Sequence, residues 1–117
     1  MIVGIGLDIV ELSRIRDIVT NKRSFVERVL TDKELEIFDN LKYKRQVEYL
    51  AGRFACKEAF SKAYGTGIGK LGLQDIEILT ADSGQPIITK SPFHGTCHVS
   101  ISHTDTVAVA QIILEDK

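Results

Sequence analysis

The chain has 117 residues, 44% of them hydrophobic and 26% charged, with a formal net charge of −1. That size and balance fit a single domain over residues 1–117 and leave little room for a second. They argue against a nucleic-acid binder, which is expected to be basic overall, and no apolar run is long enough to span a bilayer. The chain enters Ile2-Val3-Gly4-Ile5 without a basic flank or a small-residue cleavage site, so the expected location is cytoplasmic, with no membrane partner. Cys56 and Cys97 lack metal or redox spacing and read as inert thiols. A domain this small buries a modest share of its surface, which makes an oligomer the reasonable expectation.

The charge is sorted by segment. Residues 42–62 hold six Lys or Arg against two acids, whereas 31–40 hold four acids against one Lys. A basic cluster beside a carboxylate suits a small polyanionic ligand.

Taken in order, Ile2–Val10 reads as a strand with Val3, Ile5, Leu7 and Ile9 on one face and Gly4, Gly6 and Asp8 on the other. Asp8 then points where the glycines leave room. An aspartate in an apolar strand is disfavoured, which makes it a candidate cation-binding or catalytic carboxylate, the alternative being a cap for the next helix. A first helix follows with Leu12, Ile15, Ile18 and Val19 as its buried stripe. Ser24-Phe25-Val26-Glu27 and Thr31-Asp32-Lys33-Glu34 are two capping-box patterns, each expected to open a short helix.

A long helix is predicted from about Gln46 to Tyr64, apolar on two sides and stopped by Gly65. Val47, Leu50, Ala51 and Phe54 fall on one stripe, and Glu58 lands in its middle. A carboxylate there must be protonated, paired or bound to a cation. Lys62, one turn on, lies on the same side. Gly67–Gly72 matches G-x-G-x-x-G literally, but it follows a helix and precedes a predicted strand, Leu73–Thr80, the reverse of a dinucleotide fingerprint. The C-terminal half reads as hairpin units: Ile76–Thr80 and Ile87–Thr89 around the turn 82–86, then Cys97–Ser102 and Val107–Leu114. His103 ends a strand whose Val99 and Ile101 alternate with His98, Ser100 and Ser102.

Three segments together, Gly4-Ile5-Gly6-Leu7-Asp8-Ile9-Val10, Arg53-Phe54-Ala55-Cys56-Lys57-Glu58-Ala59-Phe60-Ser61-Lys62-Ala63 with Gly65-Thr66-Gly67, and Val99-Ser100-Ile101-Ser102-His103, resemble the small bacterial 4′-phosphopantetheinyl transferases, the holo-[acyl-carrier-protein] synthases. Gly84-Gln85-Pro86 resembles the family's G-x-P turn. The resemblance implies an α+β fold, with a long central helix packed on a mainly antiparallel sheet, assembled as a homotrimer with active sites between subunits. It implies transfer of phosphopantetheine from coenzyme A to a serine of acyl carrier protein, with Mg2+ required. Magnesium takes one or two carboxylates plus phosphate oxygens and water, and Asp8 and Glu58 would supply that pair. Lys62 would stabilise the leaving side. Arg45, Arg53, Ser61, Gly65 and His103 would be further coenzyme A contacts, and either Glu58 or metal-bound water would accept the serine proton. Arg14, Arg16, Lys22, Arg23 and Arg28 would dock the acidic carrier.

Overall fold

The computed structural model describes residues 1–65 and 71–116. Strand β1 (Ile2–Glu11) leads into helices α1 (Leu12–Asn21), α2 (Arg23–Val29), α3 (Asp32–Asp39) and α4 (Tyr43–Tyr64). A single 3₁₀ turn at Leu73–Asp75 precedes strands β2 (Glu77–Thr80) and β3 (Pro86–Lys90), then β4 (Thr96–His103) and β5 (Val107–Glu115). One antiparallel sheet has the order β1-β5-β4, and β2-β3 forms a separate antiparallel hairpin.

Helix α4 lies against the face of the three-stranded sheet that carries the smallest residues. Ala108, Ala110, Ile112 and Leu114 of β5 are buried beneath it, and Gly4 and Gly6 of β1 touch its backbone. A Cβ at Gly6 would stand 1.8 Å from the Ala59 carbonyl oxygen, and one at Gly4 2.1 Å from that of Ala63. Neither position has room for a methyl group. The expected alternation of β1 is therefore present, with the glycines and Asp8 turned to the helix. The opposite face leaves Val3, Ile5, Leu7 and Ile9 between 51% and 61% exposed.

Several sequence expectations hold locally. The Thr31–Glu34 capping box is formed at α3, and Gly65 ends α4 at φ 86°, a left-handed turn that suits a residue without Cβ. Cys56 is buried and Cys97 partly so, both free, and burial pushes the Cys56 thiol up to about 12. Others need correction. Ser24 does not cap α2, which begins at Arg23, so that its cap is Lys22, two residues before Ser24, with no side-chain cap bond. Leu73–Asp75 is helical because the Asp75 carboxylate accepts the Gly72 N–H at 2.9 Å, closing a tight turn and delaying the strand to Glu77. Helix α4 starts at Tyr43, a turn before the expected Gln46. The G-x-G-x-x-G match at Gly67–Gly72 falls largely on residues 66–70, outside the described residues.

Candidate active site

Five residues separate Arg53 from Glu58, which turns the α-helix by about 140°. Helix α4 therefore presents charged groups on two sides. One side faces β1 and α1, and the other faces the β2–β3 hairpin.

On the first side, Lys62 Nζ donates to Asp8 Oδ1 at 2.9 Å and to the Leu7 carbonyl at 3.0 Å. The ammonium thus pairs with Asp8, the strand residue, rather than forming the ordinary i,i+4 pair with Glu58. Asp8 is mostly covered, its side chain 18% exposed against 54% for Lys62. It does not cap α1, whose N-cap is Glu11. Glu58 is half-buried, as its place in the apolar stripe predicts. Burial, reinforced by the Asp8 carboxylate, pushes its pKa up, while Lys62 and Arg14 pull the other way. Asp8, Glu58, Lys62 and Arg14 therefore form one electrostatic cluster. Arg14 also lies over the Phe54 ring, 5.6 Å from its centroid, so it belongs to this cluster as well as to the basic surface of α1.

Two neighbouring carboxylates repel one another, and a small cation placed between them relieves that repulsion. Hard oxygen donors suit magnesium, and no group of three or more His, Cys, Asp or Glu able to hold a metal occurs among the described residues. The protein offers two donors, so water and ligand phosphates would complete the shell. On that donor chemistry Asp8 and Glu58 fit the ion.

The second side opens on a cleft of about 460 Å³ between α4, the hairpin and the end of β4. Arg45, Tyr49, Arg53, Thr80, Pro86 and His103 line it. Arg53 is only 9% exposed. Its guanidinium stacks on the Tyr49 ring at 4.2 Å and donates from Nε to the Ile78 carbonyl (3.3 Å) and from Nη2 to Thr80 Oγ1 (3.0 Å). Burial pushes the Tyr49 phenol up to about 12. Arg45 and His103 are exposed at the rim. The structure thus brings Arg45, Arg53 and His103 together, and Asp8, Glu58 and Lys62 together, but keeps the two groups on different sides of α4.

Ser61 and Gly65 have local duties. The Ser61 hydroxyl is buried and donates to the Glu58 carbonyl at 2.8 Å, while Gly65 is the helix cap. Of the basic residues around α1 and α2, Arg23 forms a two-pronged pair with Asp39 (2.7 and 2.9 Å) and a further bond to Glu27 (3.1 Å). The guanidinium holds Asp39 below the usual carboxylate range. Lys22 sits 3.7 Å from Asp17. Arg14, Arg16 and Arg28 remain exposed.

Sequence reasoning missed the buried network behind the cleft. Lys57 and Glu34 are fully buried and 2.6 Å apart. Thr31 links them to Glu77, because its hydroxyl donates to Glu77 Oε2 while its N–H donates to Glu34 Oε1. The capping box pointed to Glu34, but nothing local tells that its carboxylate meets a lysine 23 residues away.

Comparison with known proteins gives a consistent result. Residues 4–112 match the family model described as the 4′-phosphopantetheinyl transferase superfamily. The holo-[acyl-carrier-protein] synthase of Enterococcus faecalis is 62% identical over 117 residues, covering 100% of both chains. That of Streptococcus pyogenes is 53% identical over 117 residues, covering 100% of this chain and 99% of the relative. Among solved structures, a holo-(acyl-carrier-protein) synthase from Bacillus anthracis in complex with CoA (3′,5′-ADP) superposes with a TM-score of 0.93 at 48% identity, covering 100% of this chain and 99% of that one. The Helicobacter pylori synthase in complex with coenzyme A gives 0.82 at 34% identity, covering 95% and 99%.

Proposed function

The chain belongs to the 4′-phosphopantetheinyl transferase superfamily, and from that premise we infer that it acts as a holo-[acyl-carrier-protein] synthase. It transfers phosphopantetheine from coenzyme A to a serine of apo acyl carrier protein and releases adenosine 3′,5′-bisphosphate. The observation that carries this reading is the Asp8–Glu58–Lys62 cluster, set by the glycines of β1 against α4. We place the reaction in the cytoplasm; no described helix is long and apolar enough to cross a membrane.

The attacking serine is neutral and the diphosphate strongly anionic, so the enzyme's task is alignment and charge neutralisation. Asp8 and Glu58 would hold Mg2+, which when bound neutralises phosphate oxygens and lowers the pKa of its water. Lys62 sits one helical turn from Glu58, where its ammonium can neutralise the departing phosphate. Glu58, with its raised proton affinity, is a competent acceptor for the serine proton.

Arg53, Arg45 and His103 read as contacts for the adenosine-bisphosphate end of coenzyme A. They lie around α4 from Glu58, so one ligand reaches both groups most simply when they come from neighbouring chains. A homotrimer with shared sites provides this, and it would cover the exposed Val3, Ile5, Leu7 and Ile9. Mixed trimers of Glu58→Gln and Arg53→Ala chains should then exceed the summed activity of the separate variants at low coenzyme A. Activity equal to that sum would place both groups of one site in a single chain.

The exposed arginines of α1 and α2 form the docking surface for the acidic carrier. Lys22 and Arg23 contribute less, being already held by acids. Arg28→Glu should raise the KM for carrier about tenfold while leaving the KM for coenzyme A unchanged, and added salt should narrow the difference. Steady-state kinetics with each substrate varied in turn checks this.

The activity itself is tested by incubating pure protein with coenzyme A and Mg2+, with and without apo carrier. A carrier mass gain of one phosphopantetheine supports transfer. Bisphosphate released without carrier would point to hydrolysis instead.

A further inference from the structure

Behind the cleft runs a chain of buried contacts that the chemistry above leaves unused. Lys57 Nζ donates to Glu34 Oε1 and to the Val29 carbonyl, each at 2.6 Å. The other carboxylate oxygen, Glu34 Oε2, accepts the Ile78 backbone N–H at 2.8 Å. The carbonyl of that same Ile78 accepts Arg53 Nε, and two residues further along β2 the Thr80 hydroxyl accepts Arg53 Nη2. Among the described residues strand β2 pairs only with β3, so its outer edge presents backbone groups that a further strand would otherwise satisfy. A carboxylate from α3 and a guanidinium from α4 take that place.

We propose that Glu34, neutralised by Lys57, is a positioning residue for coenzyme A recognition: it sets β2 at the height where Ile78 and Thr80 orient the Arg53 guanidinium in the cleft. The proposal rests on the reading of Arg53 as a coenzyme A contact. A long, rotamer-rich side chain fixed before binding loses less freedom when the ligand arrives. Two bonds to β2 and the Tyr49 ring set the plane of the Arg53 guanidinium at the cleft wall, which leaves its other donors to meet a ligand phosphate. Stability alone does not account for the charged pair, because well-packed apolar residues often replace a buried ion pair without loss. Apolar residues cannot accept the Ile78 N–H.

The test compares Glu34→Gln, Thr80→Val, Arg53→Ala and the doubles of the first two with the third. Coenzyme A affinity is measured by calorimetry on folded protein, with kcat and both KM values alongside. The double variant Lys57→Met with Glu34→Leu, packed but lacking the acceptor, stands in where Glu34→Gln does not fold. Glu34→Gln and Thr80→Val should each weaken coenzyme A binding about three- to tenfold, the scale of one hydrogen bond. The kcat at saturation and the carrier KM should stay unchanged, and neither substitution should weaken binding further once Arg53 is alanine.

A lower melting temperature with unchanged coenzyme A affinity in the folded fraction would overturn the proposal. So would the same factor appearing in the Arg53→Ala background. If Arg53→Ala itself leaves affinity unchanged, the reading of Arg53 falls and the positioning role with it. If Arg53→Ala weakens binding and the others do not, the positioning role falls alone.

Discussion

Glu58→Gln should lower turnover by about 10²- to 10³-fold, the scale of losing one preorganised electrostatic group, while the protein stays folded. Asp8→Asn should do the same. The stability side of the Glu58 prediction has a definite sign. Burial and Asp8 raise the folded-state pKa of Glu58 above the ordinary 4.5, so the ionised carboxylate opposes folding. Below pH 4.5 the group is protonated in both folded and unfolded chains and has no effect. As pH rises from 4.5 through the raised folded value, the wild type loses stability that the glutamine variant keeps. Metal-free Glu58→Gln should therefore melt at or above the wild-type temperature at neutral pH and match it in acid. Thermal melts across pH, paired with carrier-modification assays, check both halves. An inactive variant that also melts much lower would make Glu58 a structural residue.

Gly6→Ala should be the most damaging substitution in β1. The added methyl would stand 1.8 Å from the Ala59 carbonyl oxygen, a backbone atom on a helix that is itself packed against the sheet. Relief requires β1 and α4 to separate. Overpacking of this kind costs about 3 kcal/mol or more. Separation also carries Asp8, two residues on, away from Glu58 and Lys62, and a displacement near 1 Å costs about 10²-fold in rate. Denaturant unfolding and single-turnover kinetics should thus fall together. Ile5→Ala, on the exposed face of the same strand, is the contrast: it should leave the packing against α4 intact.

These two expectations show what the sequence could reveal. The period-two pattern of β1 placed Asp8 on the face where the glycines leave room, and the stripe of α4 placed Glu58 among apolar residues; that Gly4 and Gly6 make room for the helix itself became visible only in the structure. Local periodicity was sufficient because both carboxylates sit inside long regular elements. The Lys62–Asp8 pair was only partly legible: the side of the helix was clear, but the partner lay 54 residues away. The cleft was harder still. Arg45, Arg53 and His103 come from two elements, and Tyr49 and Thr80 were not singled out, since their roles depend on how the β2–β3 hairpin is placed. Lys57, beside Glu58 in sequence, points about 100° around the helix into a buried pair, and only the tertiary structure reveals its partner. Boundaries failed where side chains override propensity, as at Asp75, whose carboxylate folds the chain back before β2 begins.

The central claim is that Asp8 and Glu58 jointly hold a divalent cation against the coenzyme A diphosphate. Manganese shares magnesium's preference for oxygen ligands and scatters anomalously, so a crystal grown with coenzyme A and Mn2+ reports the ion directly. The account predicts one anomalous peak coordinated by a carboxylate oxygen from each of Asp8 and Glu58 and by coenzyme A phosphate. A peak bound by the phosphates alone, with neither carboxylate in contact, would contradict it.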